Sequence, residues 1–186
     1  MKLDHKKVVD TARELIEEEG PEKLTLQALA ARLGVKAPSL YNHIDSIQAL
    51  REKLALTTLE TLDSALRDAA LGKSREEALL EMAQTYRNFA IAHSKLYKAM
   101  VENYYGEGAV HEEGRIIVRT LYQVLAPYEL GEAGTKHFAR AFRSALHGFV
   151  TLEEAGFKGT PDAEESFQHL VRALIASLSS YDWGRQ

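Results

Sequence analysis

The sequence predicts an all-α protein, and three observations along its 186 residues support that class. Apolar side chains recur every three or four residues through most of the chain, which is the spacing of one face of an α-helix. The four prolines all fall where this periodicity starts or stops, as expected at helix boundaries. No stretch alternates between apolar and polar residues for long enough to predict a strand. We therefore expect about nine helices.

Composition restricts the class of protein further. Hydrophobic residues make up 45% of the chain and charged residues 27%, as in ordinary globular domains. The absence of cysteine excludes disulfides, thiol catalysis and thiolate metal sites. Charges interrupt every apolar stretch well before the ~20 residues that a transmembrane helix needs, and residues 1–7 lack the apolar core of a signal peptide. We therefore expect a cytoplasmic protein that has no cofactor and no contact with membranes.

Two short helices joined by a tight turn are predicted near the start of the chain, after a first helix over about residues 4–19. Thr25 begins the earlier of the two, because its hydroxyl can accept a hydrogen bond from a free amide of the first turn. Gly34 ends it, since glycine tolerates the left-handed conformation that a tight turn requires. Pro38 begins the later helix, where a missing amide proton costs nothing.

The later helix has one apolar and one polar side. Leu40 and Ile44 lie four residues apart and are predicted to face the core. Ser39, Asn42 and His43 are spaced by three and four residues, so they share an exposed side. In a helix-turn-helix, the second helix enters the major groove of DNA. The pattern therefore predicts a protein that reads DNA.

The charge of the chain is compatible with DNA binding only through its placement. The net charge is -4, and the first 46 residues hold seven Lys and Arg against eight Asp and Glu, whereas nucleic-acid-binding domains are usually basic. Lys2, Lys6 and Lys7 lie near the N-terminus and Lys36 lies in the turn, whereas glutamates gather at residues 17–19. We therefore predict one DNA-facing edge rather than a basic domain.

The rest of the chain is predicted to form a second helical domain. We place the division after residue 46, so that residues 1–46 form a three-helix DNA-binding domain and residues 47–186 form the other domain. The six further helices predicted there begin near residues 47, 74, 97, 109, 132 and 160.

The last two predicted helices each have two packing faces. One face carries large apolar side chains and the other carries small ones. Small residues allow helices to approach closely, so we interpret the second faces as a subunit interface, in which two helices from each chain meet about a two-fold axis. The alternative is that both faces belong to the core of a single chain. The small residues are Ala141, Ser144, Ala145, Gly148, Ala173, Ala176, Ser177 and Ser180.

A set of residues near the N-terminus forms a pattern with fixed spacing, namely Leu24, Thr25, Leu29, Ala30, Leu33, Gly34, Val35, Pro38, Ser39, Leu40, Tyr41, His43, Ala49 and Leu50. This pattern resembles the DNA-binding domain of the TetR family of bacterial transcriptional repressors. The likeness extends back through the first helix and is specific, because it joins many positions. Residues 145–156 are similar, more weakly, to a segment with a His-Gly pair in one subgroup of TetR C-terminal domains.

The resemblance implies DNA contacts by particular residues in the helix that begins at Pro38 and in the helix before it. Asparagine can pair with adenine through two hydrogen bonds, serine can serve either type of base, and alanine can touch the methyl group of thymine. Phosphate contacts set the register of the protein on DNA rather than its sequence preference. The residues implied to read bases are Gln27, Ala37, Ser39 and Asn42, and those implied to hold phosphates are Thr25, Lys36, Tyr41 and His43.

Two positions depart from the family pattern. Ile47 stands where the family commonly has a phosphate-binding lysine, and Ala37 stands where it often has a polar residue that reads bases. Lys53 or the N-terminal lysines could supply the missing charge. These departures leave the operator sequence open, but they do not affect the predicted fold.

The resemblance also implies a regulated homodimer. TetR-like proteins are usually repressors that bind palindromic operators with recognition helices ~34 Å apart. A small, largely apolar effector binds among the C-terminal helices and moves the long helix that begins near residue 47, which releases the DNA. Aromatic and methionine side chains suit a ligand with apolar bulk and a few polar groups. The residues expected to line its pocket are Tyr86, Phe89, His93, Tyr97, Met100, Tyr104, Leu121, Phe142 and His147.

Two other functions, a metal enzyme and a protein-binding adaptor, fit the sequence less well. A metal enzyme could use histidine and glutamate, but no Glu-x-x-His or His-Glu-x-x-His motif brings them together, and no nucleophile elbow is present. A helical adaptor that binds proteins would need no exposed polar side on the second helix of the motif. We therefore expect no enzyme and no metal site. The residues considered for a metal are His93, His111, His137, His147, His169, Glu102, Glu112 and Glu113.

Overall fold

The structure is a computed structural model, and it describes residues 3–104, 115–156 and 162–183. Within these ranges every regular element is helical, which confirms the all-α class and the expected number of helices. None of the described helices is both long and apolar enough to cross a membrane. The α-helices are α1 (His5–Glu19), α2 (Leu26–Leu33), α3 (Ile47–Ala70), α4 (Arg75–Ala92), α5 (Ser94–Tyr104), α6 (Arg115–Leu125), α7 (Gly131–Glu154) and α8 (Ala163–Ser180).

Shorter helical turns complete the described part of the chain. A six-residue 3₁₀-helix, Ala37–Asn42, lies between α2 and α3, and three-residue 3₁₀ turns occupy Pro21–Lys23 and Ala126–Tyr128. The helix predicted to start near residue 109 is observed from Arg115, because residues 105–114 lie outside the described ranges.

The predicted ends of α2 are confirmed. The hydroxyl oxygen of Thr25 accepts a hydrogen bond from the backbone amide of Ala28 at 3.1 Å, as expected for a helix N-cap. Gly34 at the other end has φ +68° and ψ +31°. A Cβ atom built there would meet nothing within 4 Å, so the requirement for glycine comes from the left-handed backbone and not from crowding.

The segment Ala37–Asn42 differs from the α-helix predicted to begin at Pro38. It is a 3₁₀-helix, in which amides bond to carbonyls three residues earlier: the amide of Ser39 donates to Lys36 at 2.9 Å and that of His43 to Leu40 at 2.8 Å. His43 then leaves the helical region at φ −129°. A helix of six residues gains few α-type bonds, so the tighter 3₁₀ pattern can serve the whole segment. We call these residues segment 37–42.

The chain forms two compact units. The first consists of Met1–Thr61 with His93–Gly114, and the second consists of Leu62–Ala92 with Arg115–Gln186. The division predicted after residue 46 stays a prediction about function. In the first unit, α5 contributes to the same hydrophobic cluster as α1, α2 and the start of α3. The fully or almost fully buried members of that cluster are Val8, Ala12, Leu15, Ile16, Leu24, Leu29, Leu40, Leu50 and Leu54.

The second unit combines an apolar core with one buried arginine. Arg87 on α4 donates from Nε to Glu153 Oε2 at 2.9 Å and from Nη2 to Glu153 Oε1 at 2.6 Å, and it also pairs with Glu164 on α8. Its guanidinium carbon lies 5.9 Å and 5.2 Å from the ring centroids of Phe149 and Phe167. Bidentate pairing and stacking both suit arginine, so this residue ties α4 to α7 and α8. Its hydrogen bond to Glu153 is also the main reason that the pKa of Arg87 is raised.

Candidate nucleic-acid interface and ligand cavity

Segment 37–42 is anchored by one side chain and exposes its neighbours. Leu40 is completely buried in the core of the first unit, and Ile44 just beyond the segment is also buried, as predicted. Tyr41 and Asn42 are exposed, and 57% of the surface of Tyr41 is accessible. A buried leucine inside a short exposed segment fixes the orientation of its neighbours, because rotating the segment would bring Leu40 into water.

The residues predicted to contact DNA differ in exposure. Ala37, Ser39 and His43 are half-buried, and Ala37 packs against the hydrophobic cluster of the first unit. Ser39 and Asn42 lie three residues apart, which places them directly above one another in a 3₁₀-helix. The exposed members of the predicted set are Thr25, Gln27, Lys36, Pro38, Tyr41 and Asn42.

Two hydrogen bonds that were not predicted hold the backbone near this surface. The Nδ1–H group of His5 in α1 donates to the carbonyl of His43 at 2.8 Å. The Nη2 group of Arg51 in α3 donates to the carbonyl of Leu24, just before α2, at 2.7 Å. Both pairs are far apart in sequence, so no local pattern could have indicated them. They connect α1 and α3 to the ends of the helix-turn-helix.

The basic residues at this surface are of two kinds: some form ion pairs within the protein, and others are exposed. Arg32 on α2 pairs with Glu18, and it lies 3.5 Å from Glu19. The hydrogen bond that Arg32 donates to Glu18 is the largest cause of the raised pKa of Arg32. Lys36, in the turn before segment 37–42, forms no ion pair with any residue in the described ranges. Lys36 is therefore available to an external anion, whereas Arg32 holds α2 to the end of α1.

The second unit contains a cavity of about 250 Å³. Its buried lining residues are mainly apolar, and we call them the floor; its exposed and half-buried lining residues are three basic residues on α7 and Tyr122 on α6, and we call them the opening. The volume lies just below the usual range for small-molecule pockets, ~300–1,000 Å³. The lining residues are Leu66, Met82, Tyr86, Leu121, Tyr122, Lys136, Ala139, Arg140, Phe142, Arg143 and Leu146.

Three of the residues predicted to line a pocket do line this cavity, namely Tyr86, Leu121 and Phe142. Phe89 and His147 belong to the same unit and are half-buried, but they are not among the lining residues. The side chain of Tyr104 lies outside the described part of the chain.

The other predicted pocket residues belong to the first unit. Tyr97 and Met100 on α5 are buried there. His93 is exposed, and its Nδ1 atom lies 3.1 Å from Glu17 Oε1 at the end of α1. These three residues occur in the unit that also contains the helix-turn-helix, so they do not line the cavity of the second unit.

Sequence reasoning missed the basic residues of the cavity. Lys136, Arg140 and Arg143 are spaced by four and three residues, so they lie on one face of α7. That spacing was visible in the sequence. On an amphipathic helix, however, such a face usually points to solvent, and only the neighbouring helices α3, α4 and α6 turn it into the wall of a cavity.

The small-residue faces of α7 and α8 are exposed or half-buried in this chain. Ser144, Ala173, Ala176 and Ser180 are exposed, and the other four predicted residues, Ala141, Ala145, Gly148 and Ser177, are half-buried. A Cβ atom built on Gly148 would meet nothing within 4 Å. The large apolar faces, which include Phe138 and Phe167, are buried. Within the described residues, the small faces are therefore not part of the core.

The residues considered for a metal site are not brought together where the structure describes them. Within the described ranges, no group of three or more histidines or carboxylates is placed to hold a metal ion. His111, Glu112 and Glu113 lie outside those ranges.

Comparisons with known proteins agree with this geometry. A family model described as "Bacterial regulatory proteins, tetR family" matches residues 8–54, and one described as "Tetracyclin repressor-like, C-terminal domain" matches residues 79–174. The uncharacterized HTH-type transcriptional regulator Rv0681 of Mycobacterium tuberculosis is 34% identical over 179 residues, with 95% of this chain and 82% of that protein covered. YobS of Bacillus subtilis, also described as an HTH-type transcriptional regulator, is 30% identical over 177 residues, with 95% and 93% covered.

A solved structure supports the fold. It contains a single-residue variant of TetR from Acinetobacter baumannii AYE in complex with minocycline, and it matches with a TM-score of 0.73, covering 97% of this chain and 99% of that chain. At 23% sequence identity, this likeness shows the fold alone. The family models and the two relatives show more: the chain belongs to the TetR family of bacterial transcriptional regulators, which are DNA-binding proteins and not enzymes.

Proposed function

We propose that this regulator is a repressor that binds a palindromic operator as a homodimer and leaves it when a small, largely apolar effector binds. The observation that carries the proposal is the exposed edge of Tyr41 and Asn42 on a segment that the buried Leu40 holds in place. A base-reading surface needs polar groups held in a fixed orientation, and this edge meets both conditions.

Within this proposal, the exposed residues divide by chemistry. Asn42 and Gln27 carry amides that suit the edge of adenine, and Ser39 lies above Asn42 on the same side of the 3₁₀-helix. Thr25, at the N-cap of α2, and Lys36 are suited to phosphates, because a helix N-terminus and an unpaired ammonium both attract anions.

The proposed dimer uses α7 and α8. Their exposed small residues, among them Ser144, Ala173 and Ala176, form a surface on which a second copy could pack closely. A homodimer with two-fold symmetry contains two copies of segment 37–42, and this number matches the two half-sites of a palindrome.

The proposed effector site is the cavity of the second unit. Helix α3 contributes Leu66 to the cavity and Leu50 and Leu54 to the core of the first unit, so this one helix has residues in both units. A ligand regulates only through different affinities for two states, typically by ~1–3 kcal/mol. The TetR variant solved with minocycline provides a precedent for a small-molecule complex in this fold.

Selection of bound sequences from a random DNA library, followed by footprinting, tests the proposal. We expect one palindromic motif, with protection of two half-sites by two chains, and an affinity that falls steeply with salt. Light scattering at micromolar concentration should give a dimer. A monomer, or a selected motif without two-fold symmetry, would contradict the homodimer, and the absence of any enriched sequence would contradict specific DNA reading.

A further inference from the structure

The cavity of the second unit combines an apolar floor with a basic opening. Leu66, Met82, Leu121, Phe142 and Leu146 line it and are at most 5% exposed. On one face of α7, three basic residues line it as well, and none of the described lining residues is acidic. This is unexpected in a chain whose net charge is -4.

The three basic residues are not equivalent. Lys136 pairs with Glu132 one turn earlier on α7, which raises the pKa of Lys136. Arg140 forms no ion pair with any residue that the structure describes. Arg143 lies close enough to His147 to affect its ionisation. Burial is the main cause of the lowered pKa of His147, and the charge of Arg143 lowers that pKa further. Within the described residues, the opening therefore carries one arginine, Arg140, whose charge no carboxylate pairs, and a second, Arg143, about 4.5 Å of helix rise away on the same face of α7.

We infer that this cavity selects an organic anion, with an apolar ring system or chain lying on the floor and a carboxylate or sulfonate bound by Arg140 and Arg143. This inference rests on the proposed function, because it names the chemical class of the ligand for the same cavity. An arginine pair can bind such a head group through two-pronged hydrogen bonds. A cationic ligand would instead meet two like charges, and a neutral ligand would gain only the apolar contacts.

A matched pair of fluorescent probes separates the charge of the ligand from its apolar body. The first is 8-anilinonaphthalene-1-sulfonate, and the second is N-phenyl-1-naphthylamine, which has the same rings without the sulfonate. Titrating each into the full chain without DNA should show saturable binding, with the sulfonate bound about tenfold more tightly than the neutral probe. Because arginine stays charged in proteins and the sulfonate is a permanent anion, the preference should persist from neutral to moderately basic pH.

Amino-acid substitutions identify the residues that cause the preference for the sulfonate probe. The double variant Arg140→Gln with Arg143→Gln should remove most of this preference. The affinity for the sulfonate probe should fall about tenfold, and the affinity for the neutral probe should hardly change. Arg172→Gln is the matched control, because Arg172 is an exposed arginine on α8 that does not line the cavity. Ala139→Phe places a ring in the cavity, so it should weaken the binding of both probes. Circular dichroism checks that each variant remains helical.

Three outcomes would overturn the inference: equal affinity of the two probes, no saturable binding of the sulfonate, or a sulfonate affinity unchanged in the double arginine variant. None of them involves DNA, so a failure here leaves the operator-binding proposal standing. Conversely, a chain that prefers the sulfonate but selects no DNA sequence would contradict the proposed function and retain the anion site.

Discussion

The hydroxyl of Thr120 on α6 donates a hydrogen bond to Oδ1 of Asp63 on α3 at 2.8 Å, and both residues are buried. The other carboxylate oxygen, Oδ2, is paired with Arg67 one turn later on α3. A buried carboxylate depends on such partners, because transfer from water without them is costly. This contact therefore links two of the helices that line the cavity of the second unit.

Removing that hydroxyl should destabilise the protein. Thr120→Val keeps the shape of the side chain but leaves one oxygen of Asp63 without its donor, so we expect the free energy of unfolding to fall by ~1.5–3 kcal/mol. Urea denaturation measures the change. The control is Thr151→Val at an exposed position on α7, which should stay within ~0.5 kcal/mol of the parent. Equal stability of Thr120→Val and its parent would show that this hydrogen bond contributes nothing.

Truncating the buried anchor of segment 37–42 should also be costly. Leu40 is fully buried, so Leu40→Ala is expected to lower the free energy of unfolding by ~2–5 kcal/mol through lost burial and a residual cavity. Leu152→Ala, at a position that is 54% exposed, is the control and should have a small effect. A change near zero at position 40 would mean that the leucine does not anchor the segment.

Loss of the exposed amide of segment 37–42 should affect DNA binding and not folding. Asn42→Ala is expected to weaken binding to the selected operator by ~1–3 kcal/mol, as for a two-pronged contact with a base, with unchanged thermal stability. Fluorescence anisotropy with labelled operator measures the affinity. Gln123→Ala removes an exposed amide from α6 in the second unit, and it should bind as the parent does. If Asn42→Ala also binds as the parent does, Asn42 reads no base.

Stability should depend on pH through His147. Burial, and then the charge of Arg143, lower the pKa of His147 below its ordinary value of 6.5. At a pH between the pKa of His147 in the folded chain and its pKa in the unfolded chain, the unfolded chain therefore binds more protons than the folded chain does. The titration of His147 therefore lowers the free energy of unfolding as the pH drops below about 6.5.

An NMR titration of His147 and urea denaturation at several pH values test this dependence. Arg143→Gln should raise the pKa of His147, and His147→Gln should reduce the loss of stability on acidification. A midpoint for His147 at or above 6.5 would contradict the prediction. Binding of the naphthalene sulfonate beside Arg143 should shift the same midpoint upward, because an anion there offsets the guanidinium charge.

Local chemistry made much of the helix-turn-helix predictable. The cap at Thr25 and the left-handed turn at Gly34 depend on residues within one turn of the chain, and the inward side of segment 37–42 follows from the spacing of Leu40 and Ile44. The 3₁₀ geometry of segment 37–42 was not predicted, because apolar spacing over six residues does not distinguish it from a turn of α-helix.

The pocket was predicted less well, for a physical reason. An aromatic or methionine stripe on a helix shows that one face is buried, but not which helix covers it. Tyr97 and Met100 are buried as expected for such a stripe, yet α5 packs with α1 in the first unit, which also contains the helix-turn-helix. Tyr86 and Phe142, from equally ordinary stripes, do line the cavity.

The sequence by itself determined the all-α class, the family and the helix-turn-helix, because helix periodicity, caps and turn residues are local properties of the chain. Tertiary structure alone decided which faces enclose the cavity and which charges lie at its opening. Arg140 and Arg143 have the spacing of an ordinary solvated face of α7. They become candidate ligand-binding groups only because helices distant in sequence bring Leu66, Met82 and Leu121 into the lining of the same cavity.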